Sequence, residues 1–171
     1  VSEARDDGRP ATQVELEALG SAIRLRIIRL TYQRPLTNKE IAQRLGKDPA
    51  TTLHHVRKLV AAGFLVAEPE RRGNRGAKEI PYRSTGLSWG LDYRRGERIE
   101  LAEAMLQAYL SDVTEAGLSK VNQSRLVVQV DEASRAELLD RMGALLDEYA
   151  RRPPRPDAER TAIYLAWYPG E

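Results

Sequence analysis

Residues 36–65 read LTNKEIAQRLGKDPATTLHHVRKLVAAGFL, and this stretch decides the fold. Thr37 opens T-N-K-E, a capping box in which Thr37 is the N-cap and Glu40 reaches back to its backbone. The helix that follows is predicted over residues 38–45, with Ile41, Ala42 and Leu45 on its inner face. Gly46 supplies a C-terminal stop. Asp48 can then cap a second helix, and Pro49 suits its first position because that N–H has no partner to lose. This helix runs to about Ala62, where Gly63 ends it. Two short helices around a tight turn are the layout that presents one helix to the DNA major groove.

The second helix has two chemical faces at 100° per residue. Thr52, Val56, Leu59 and Val60 fall on one side and are expected to pack inward. Ala50, Thr51, His54, Arg57 and Lys58 fall on the other. A groove-reading helix needs short hydrogen-bonding groups near its start and cations further along. Arg can pair bidentately with guanine, and Thr can bond a base edge or touch a thymine methyl. Lys and Arg at the edges hold phosphates and set the register. Leu53 is lateral, either touching a thymine methyl or packing.

Upstream, residues 14–19 read as a short helix ending near Gly20. Ser21 can cap an amphipathic helix over about 22–32, with Ile23, Ile27, Ile28 and Leu30 at helical spacing. Pro35 closes it. Downstream, residues 64–68 and 79–84 read as strands flanking the Gly- and Arg-rich loop ERRGNRGAK. A basic hairpin directly after a recognition helix is the wing of a winged helix, and a flexible basic loop suits phosphates or a minor groove.

LEALGSAIRLRIIRL (16–30) and LTNKEIAQRLGKDPATTLHHVRKLVAAGFL resemble the ArsR-type winged helix-turn-helix repressors over about residues 16–85. The R-L-R-I-I pattern, the turn-helix ending in His54-His55 and the A-G-F-L-V exit occur in order. The resemblance implies a homodimeric DNA-binding transcription regulator, usually a repressor released by a signal. It implies that Thr51, Leu53, His54 and Arg57 line the groove-facing surface, with Arg71, Arg72, Asn74 and Arg75 in the wing. Leu53 departs from the polar residue such families often carry there. The full candidate DNA-contact set adds Thr37, Asn38, Ala50, Lys58 and Lys78.

Many relatives sense metals through Cys and His. This chain has no Cys and only His54 and His55, which point about 100° apart on a helix. No metal site is expected, and His55 reads as packed or partly buried. The sequence contains no G-x-G-x-x-G or P-loop motif, and no cofactor and no enzyme activity are expected. Asp131-Glu132 and Asp147-Glu148 read as a helix start and a solvated face.

At 171 residues the chain fits one larger domain or two small ones. Residues 1–13, VSEARDDGRPATQ, are polar and read as a mobile arm. No run approaches the 18 apolar residues of a membrane span, and a cytoplasmic location is the expectation. Residues 1–98 hold 19 Lys+Arg against 12 Asp+Glu, a net +7; residues 99–171 hold 8 against 13, a net −5. Only the first half is expected to face a polyanion.

In the second half, a helix from about Gly96 carries Ile99, Ala102, Leu106, Tyr109, Leu110 and Val113 and ends near Gly117. Two-fold pairing of that face with a second copy would space two recognition helices about 34 Å apart. LVVQV (126–130) and TAIYLAWY (161–168) read as strands around a helix from Asp131 with a stripe of Leu138, Met142, Leu145, Leu146 and Tyr149. Of the aromatic side chains Trp89, Tyr93, Tyr109, Tyr149, Tyr164, Trp167 and Tyr168, most are expected to pack in a core rather than line a pocket.

The expected fold class is mostly α with small β: a winged helix-turn-helix, a long dimerisation helix and a strand–helix–strand extension. The expected organisation is an arm (1–13), a DNA-binding domain (14–90) and a dimerisation or effector-sensing region (91–171). The expected partners are double-stranded promoter DNA, a second copy and an unidentified small-molecule effector. The alternative is a winged-helix adaptor that binds proteins and does not read DNA sequence.

Overall fold

The computed structural model describes residues 9–73, 77–93, 99–153, 155 and 157–169. The fold is mostly helical with small sheets, and its first compact unit is Arg9–Glu115, a winged helix-turn-helix. Its elements in order are β1 (Arg9–Pro10), α1 (Gln13–Leu19), α2 (Ala22–Thr31), β2 (Leu36–Thr37), α3 (Asn38–Leu45) and α4 (Pro49–Ala61). They continue with β3 (Leu65–Ala67), β4 (Arg71–Arg72), β5 (Lys78–Glu79), β6 (Pro81–Ser84), β7 (Leu91–Asp92) and α5 (Ile99–Ala116).

Local signals set these boundaries. The α3 capping box forms in both directions, with Thr37 Oγ1 accepting from the Glu40 amide and Glu40 Oε2 accepting from the Thr37 amide at 2.7 Å. Gly46 ends α3 in the left-handed region (φ 60°), where an L side chain would be strained, and its N–H reaches the Ala42 and Gln43 carbonyls. Asp48 caps α4 by accepting from the Ala50 and Thr51 amides, with Pro49 at the first position. A second capping box, Thr12 with Glu15, starts α1 one residue earlier than the apolar pattern suggests.

Two readings need correction here. Ser21 is the N-cap of α2, but its side chain makes no capping bond; its carbonyl starts the helix by accepting from the Leu25 amide. The arm does not stay loose as far as residue 13. Arg9–Pro10 pair in parallel with Leu91–Asp92, and Arg9 donates to Glu15. Residues 1–8 lie outside the described residues.

Strand β6 sits at the centre of a three-stranded antiparallel sheet between β2 and β3, with Leu36 opposite Tyr82 and Leu65 opposite Ser84. Strands β4 and β5 form the outer part of the hairpin, Arg71 opposite Glu79. The core lies between this sheet and α1–α4. Leu19, Ile27, Leu36, Ile41, Val56, Leu59 and Phe64 are fully buried in it. Leu91 of β7 and Leu101 of α5 extend the same core. Val60, read as inward, is 37% exposed because it sits at the edge of the packed stripe.

The second unit begins at Ala116, and its regular element is α6 (Glu132–Ala150), capped by Asp131. The two C-terminal runs expected as strands, residues 126–130 and 161–168, are in no ladder among the described residues. A β-branched apolar run becomes a strand only when another backbone pairs with it. The expectation of aromatic core packing also fails for Trp89, Tyr149, Trp167 and Tyr168, which are 45–68% exposed. Among the described residues no helix is long and apolar enough to cross a membrane.

Candidate nucleic-acid interface

The two faces of α4 separate as their chemistry requires. Thr52, Val56 and Leu59 are buried, and Thr52 Oγ1 donates to the Asp48 carbonyl at 2.9 Å. Ala50, Thr51, His54, Arg57 and Lys58 are all exposed, and Leu53 is half-buried between the faces. The helix is held by packing on one side and leaves its hydrogen-bonding groups free of the core on the other. Lys58 differs from its neighbours in also lining a cleft of about 400 Å³ with Gln13, Leu16, Glu17, Gly20, Glu100 and Leu101.

His54 and His55 are 5.9 Å apart, centroid to centroid, with rings at 72°. His55 is half-buried and its Nδ1 has no hydrogen-bond partner among the described residues. Burial, and then the positive charges of Arg24, His54 and Lys58, lower its pKa below 6.5. His55 thus reads as packing, while His54 faces outward. Among the described residues, no three His, Asp or Glu side chains gather as a metal site would require.

Thr37 and Asn38 are occupied structurally. Thr37 is buried and capped onto Glu40, and Asn38 Nδ2 donates to the Pro49 carbonyl at 2.8 Å, tying α3 to the start of α4.

Several cations of the hairpin are paired with carboxylates. Arg71 Nη2 donates to Glu40 at 2.9 Å, and Lys78 Nζ lies 3.0 Å from Glu70. Arg83 pairs with Glu68 at the base of the hairpin. Burial pushes the Glu40 carboxyl up, but the Thr37 amide and hydroxyl and then Arg71 outweigh it, so Glu40 titrates below its ordinary value. Arg72 is exposed. Asn74 and Arg75 lie outside the described residues.

Sequence reasoning missed the side chains that brace this surface. Arg24 is buried; its guanidinium donates to the Ala18 carbonyl and, at 2.7 Å, to the Glu17 carbonyl. These are carbonyls of the last turn of α1, which lack intrahelical partners. Arg26 bonds Asp112 at 2.9 Å and Glu115, and Arg29 reaches Asp112 at 2.5 Å. The two arginines of R-L-R-I-I therefore dock α2 on α1 and on α5. The spacing of Arg24 and Arg26 is visible in sequence, but their partners are not.

Helix α5 has two apolar faces where one was expected. Leu101, Ala104 and Ala108 are buried. Ile99, Ala102, Leu106 and Leu110 are exposed, and Tyr109 and Val113 are half-buried. Four of the six residues expected in the dimer stripe are thus exposed in this chain.

A helix-turn-helix domain model matches residues 19–67, so the chain carries that module. No protein of curated function matches the chain. Solved structures similar to it include reduced HlyU from Vibrio cholerae, at 20% identity over 57% of this chain and 84% of that one, with a TM-score of 0.36. The adhesin competence repressor AdcR from Streptococcus pyogenes is 18% identical over 76% of this chain and 81% of that one, TM-score 0.36. ZitR from Lactococcus lactis is 17% identical over 78% and 85%, TM-score 0.35. Likeness at this level carries no inference about function.

Proposed function

We propose that this protein is a DNA-binding transcription regulator of the ArsR type, acting as a homodimeric repressor. Helix α4 enters the major groove, where Thr51, His54 and Arg57 meet base edges and Ala50 and Leu53 meet apolar groups. Lys58, Arg71, Arg72, Asn74, Arg75 and Lys78 hold phosphates or the adjacent minor groove. Residues 14–90 are the DNA-binding part. Residues 91–171 serve dimerisation through Ile99, Ala102, Leu106, Tyr109, Leu110 and Val113, or effector sensing. The protein works without a catalytic site, in the cytoplasm.

The observation that carries this reading is the division of α4. One face is locked into the core through Thr52, Val56 and Leu59, and the opposite face presents Thr51, His54 and Arg57 to solvent. The helix-turn-helix match over residues 19–67 supports the same conclusion. Selection of bound fragments from sheared genomic DNA by the full chain at low salt tests it. Enrichment of a discrete set, including the promoter of its own gene, supports autoregulation by a repressor. Absence of any enriched fragment leaves the adaptor reading in its place.

A further inference from the structure

Not one described residue from 117 to 169 is buried, although twelve of the twenty-two exposed large hydrophobic side chains lie there. Helix α6 has no buried residue, and Leu138, Leu145 and Tyr149 on its apolar stripe are 36–57% exposed. On either side of it stand two β-competent runs that pair with nothing in a ladder. In each, alternate residues give a wholly apolar face: Leu126, Val128 and Val130 in the first, Ile163, Leu165 and Trp167 in the second. Their exposures run from 42% to 79%. A folded unit needs this surface covered, because apolar burial is what offsets the entropy of ordering it.

We propose that residues 126–130 and 161–168 become strands by pairing with those of a second copy of this chain, closing a four-stranded sheet under two copies of α6. Three features select a second copy as the occupant. First, charge: residues 118–171 carry eight Lys+Arg and nine Asp+Glu, a net −1, and neither run contains a charged residue. That surface neither repels its copy nor attracts a polyanion. Second, strand number: one chain supplies two short strands, a marginal sheet with two open edges, whereas two chains supply four. Third, symmetry: an antiparallel pair of identical strands is self-complementary about a two-fold axis, the commonest form of oligomer. A standard interface takes about 800 Å² from each partner, and a dozen exposed large side chains are enough to provide it. This proposal does not depend on DNA binding; it shares with the proposed function only the second copy.

Hydrogen exchange of the full chain, above and below its association midpoint, tests the proposal alongside light scattering. Protection of amides in both runs is expected to rise with association. Val128→Pro removes a ladder donor and should weaken association by roughly tenfold. It should also lower protection in both runs at a given concentration, leaving amides of β3 and β6 protected. Leu165→Glu should do the same from the other run. Protection that is equal at all concentrations means the runs pair within one chain, and protection absent throughout means they are not strands; either overturns the proposal. So does a Val128→Pro protein that associates as the wild type does while Leu106→Glu with Leu110→Glu dissociates it, because copies then meet through α5 alone. Genomic selection reads the DNA function separately from all of these outcomes.

Discussion

Arg71 of the wing donates to Glu40 of α3 at 2.9 Å, across 31 positions of sequence. The same Glu40 oxygen accepts from the Thr37 amide as half of a capping box. One carboxylate thus starts the scaffold helix and holds a cation that the proposed function directs to a phosphate. Both side chains are partly exposed, 47% and 37%, so the pair itself adds no more than about 1 kcal/mol to stability. Its larger consequence is competition for Arg71.

Glu40→Gln keeps an acceptor for the Thr37 amide and removes the charge. Arg71 is then released toward the DNA backbone and a repulsive carboxylate is lost. Affinity for specific and random duplexes should rise alike, by roughly two- to tenfold at low salt. Fluorescence anisotropy on both duplexes measures this. The gain should fade as salt increases, because released counterions dominate the phosphate contribution.

Acid should weaken the start of the unit. Arg9, then the Thr12 amide and hydroxyl, hold the Glu15 carboxyl down at about 2 despite its burial, against an ordinary value of 4.5. A lowered folded-state value means that its stabilisation is full above 4.5. It is lost as pH falls from there toward about 2. Urea midpoints across that window should drop for the wild type. In Glu15→Gln the midpoint should be lower at neutral pH and the dependence shallower.

The exposed face of α5 should carry subunit association. Leu106→Glu with Leu110→Glu places two charges where apolar contact is proposed, on a face that contributes nothing to the core of Arg9–Glu115. Light scattering should show weaker association, with thermal unfolding of the winged helix nearly unchanged. Asp112→Asn should behave oppositely. It breaks the pairing to Arg26 and Arg29, lowering stability by about 1–2 kcal/mol with association less affected.

These elements differ in how far sequence could reveal them. T-N-K-E at 37–40 and D-P at 48–49 specify helix starts through bonds spanning two or three residues, so α3 and α4 were legible almost to the residue. Glu40–Arg71 and Arg26–Asp112 join groups 31 and 86 positions apart, and composition gives no sign of such partners. On α5 the buried stripe contains two alanines, Ala104 and Ala108, whose weak apolar signal was hidden beneath the larger Ile99, Leu106 and Leu110. The runs at 126–130 and 161–168 have strand composition, but whether a run becomes a strand depends on a partner backbone that its own residues do not specify.

The claim that α4 reads DNA sequence turns on Arg57, whose side chain is exposed on the face opposite Val56 and Leu59. The most direct measurement is the affinity of wild type and Arg57→Ala for a selected genomic site and for its scrambled version, at one fixed salt concentration. A specific reader prefers its site by about a thousandfold or more. Arg57→Ala should cost about 1–3 kcal/mol on the selected site, little on the scrambled one, and should relax one base position. Equal losses on both duplexes, or no preference in the wild type, would contradict the account.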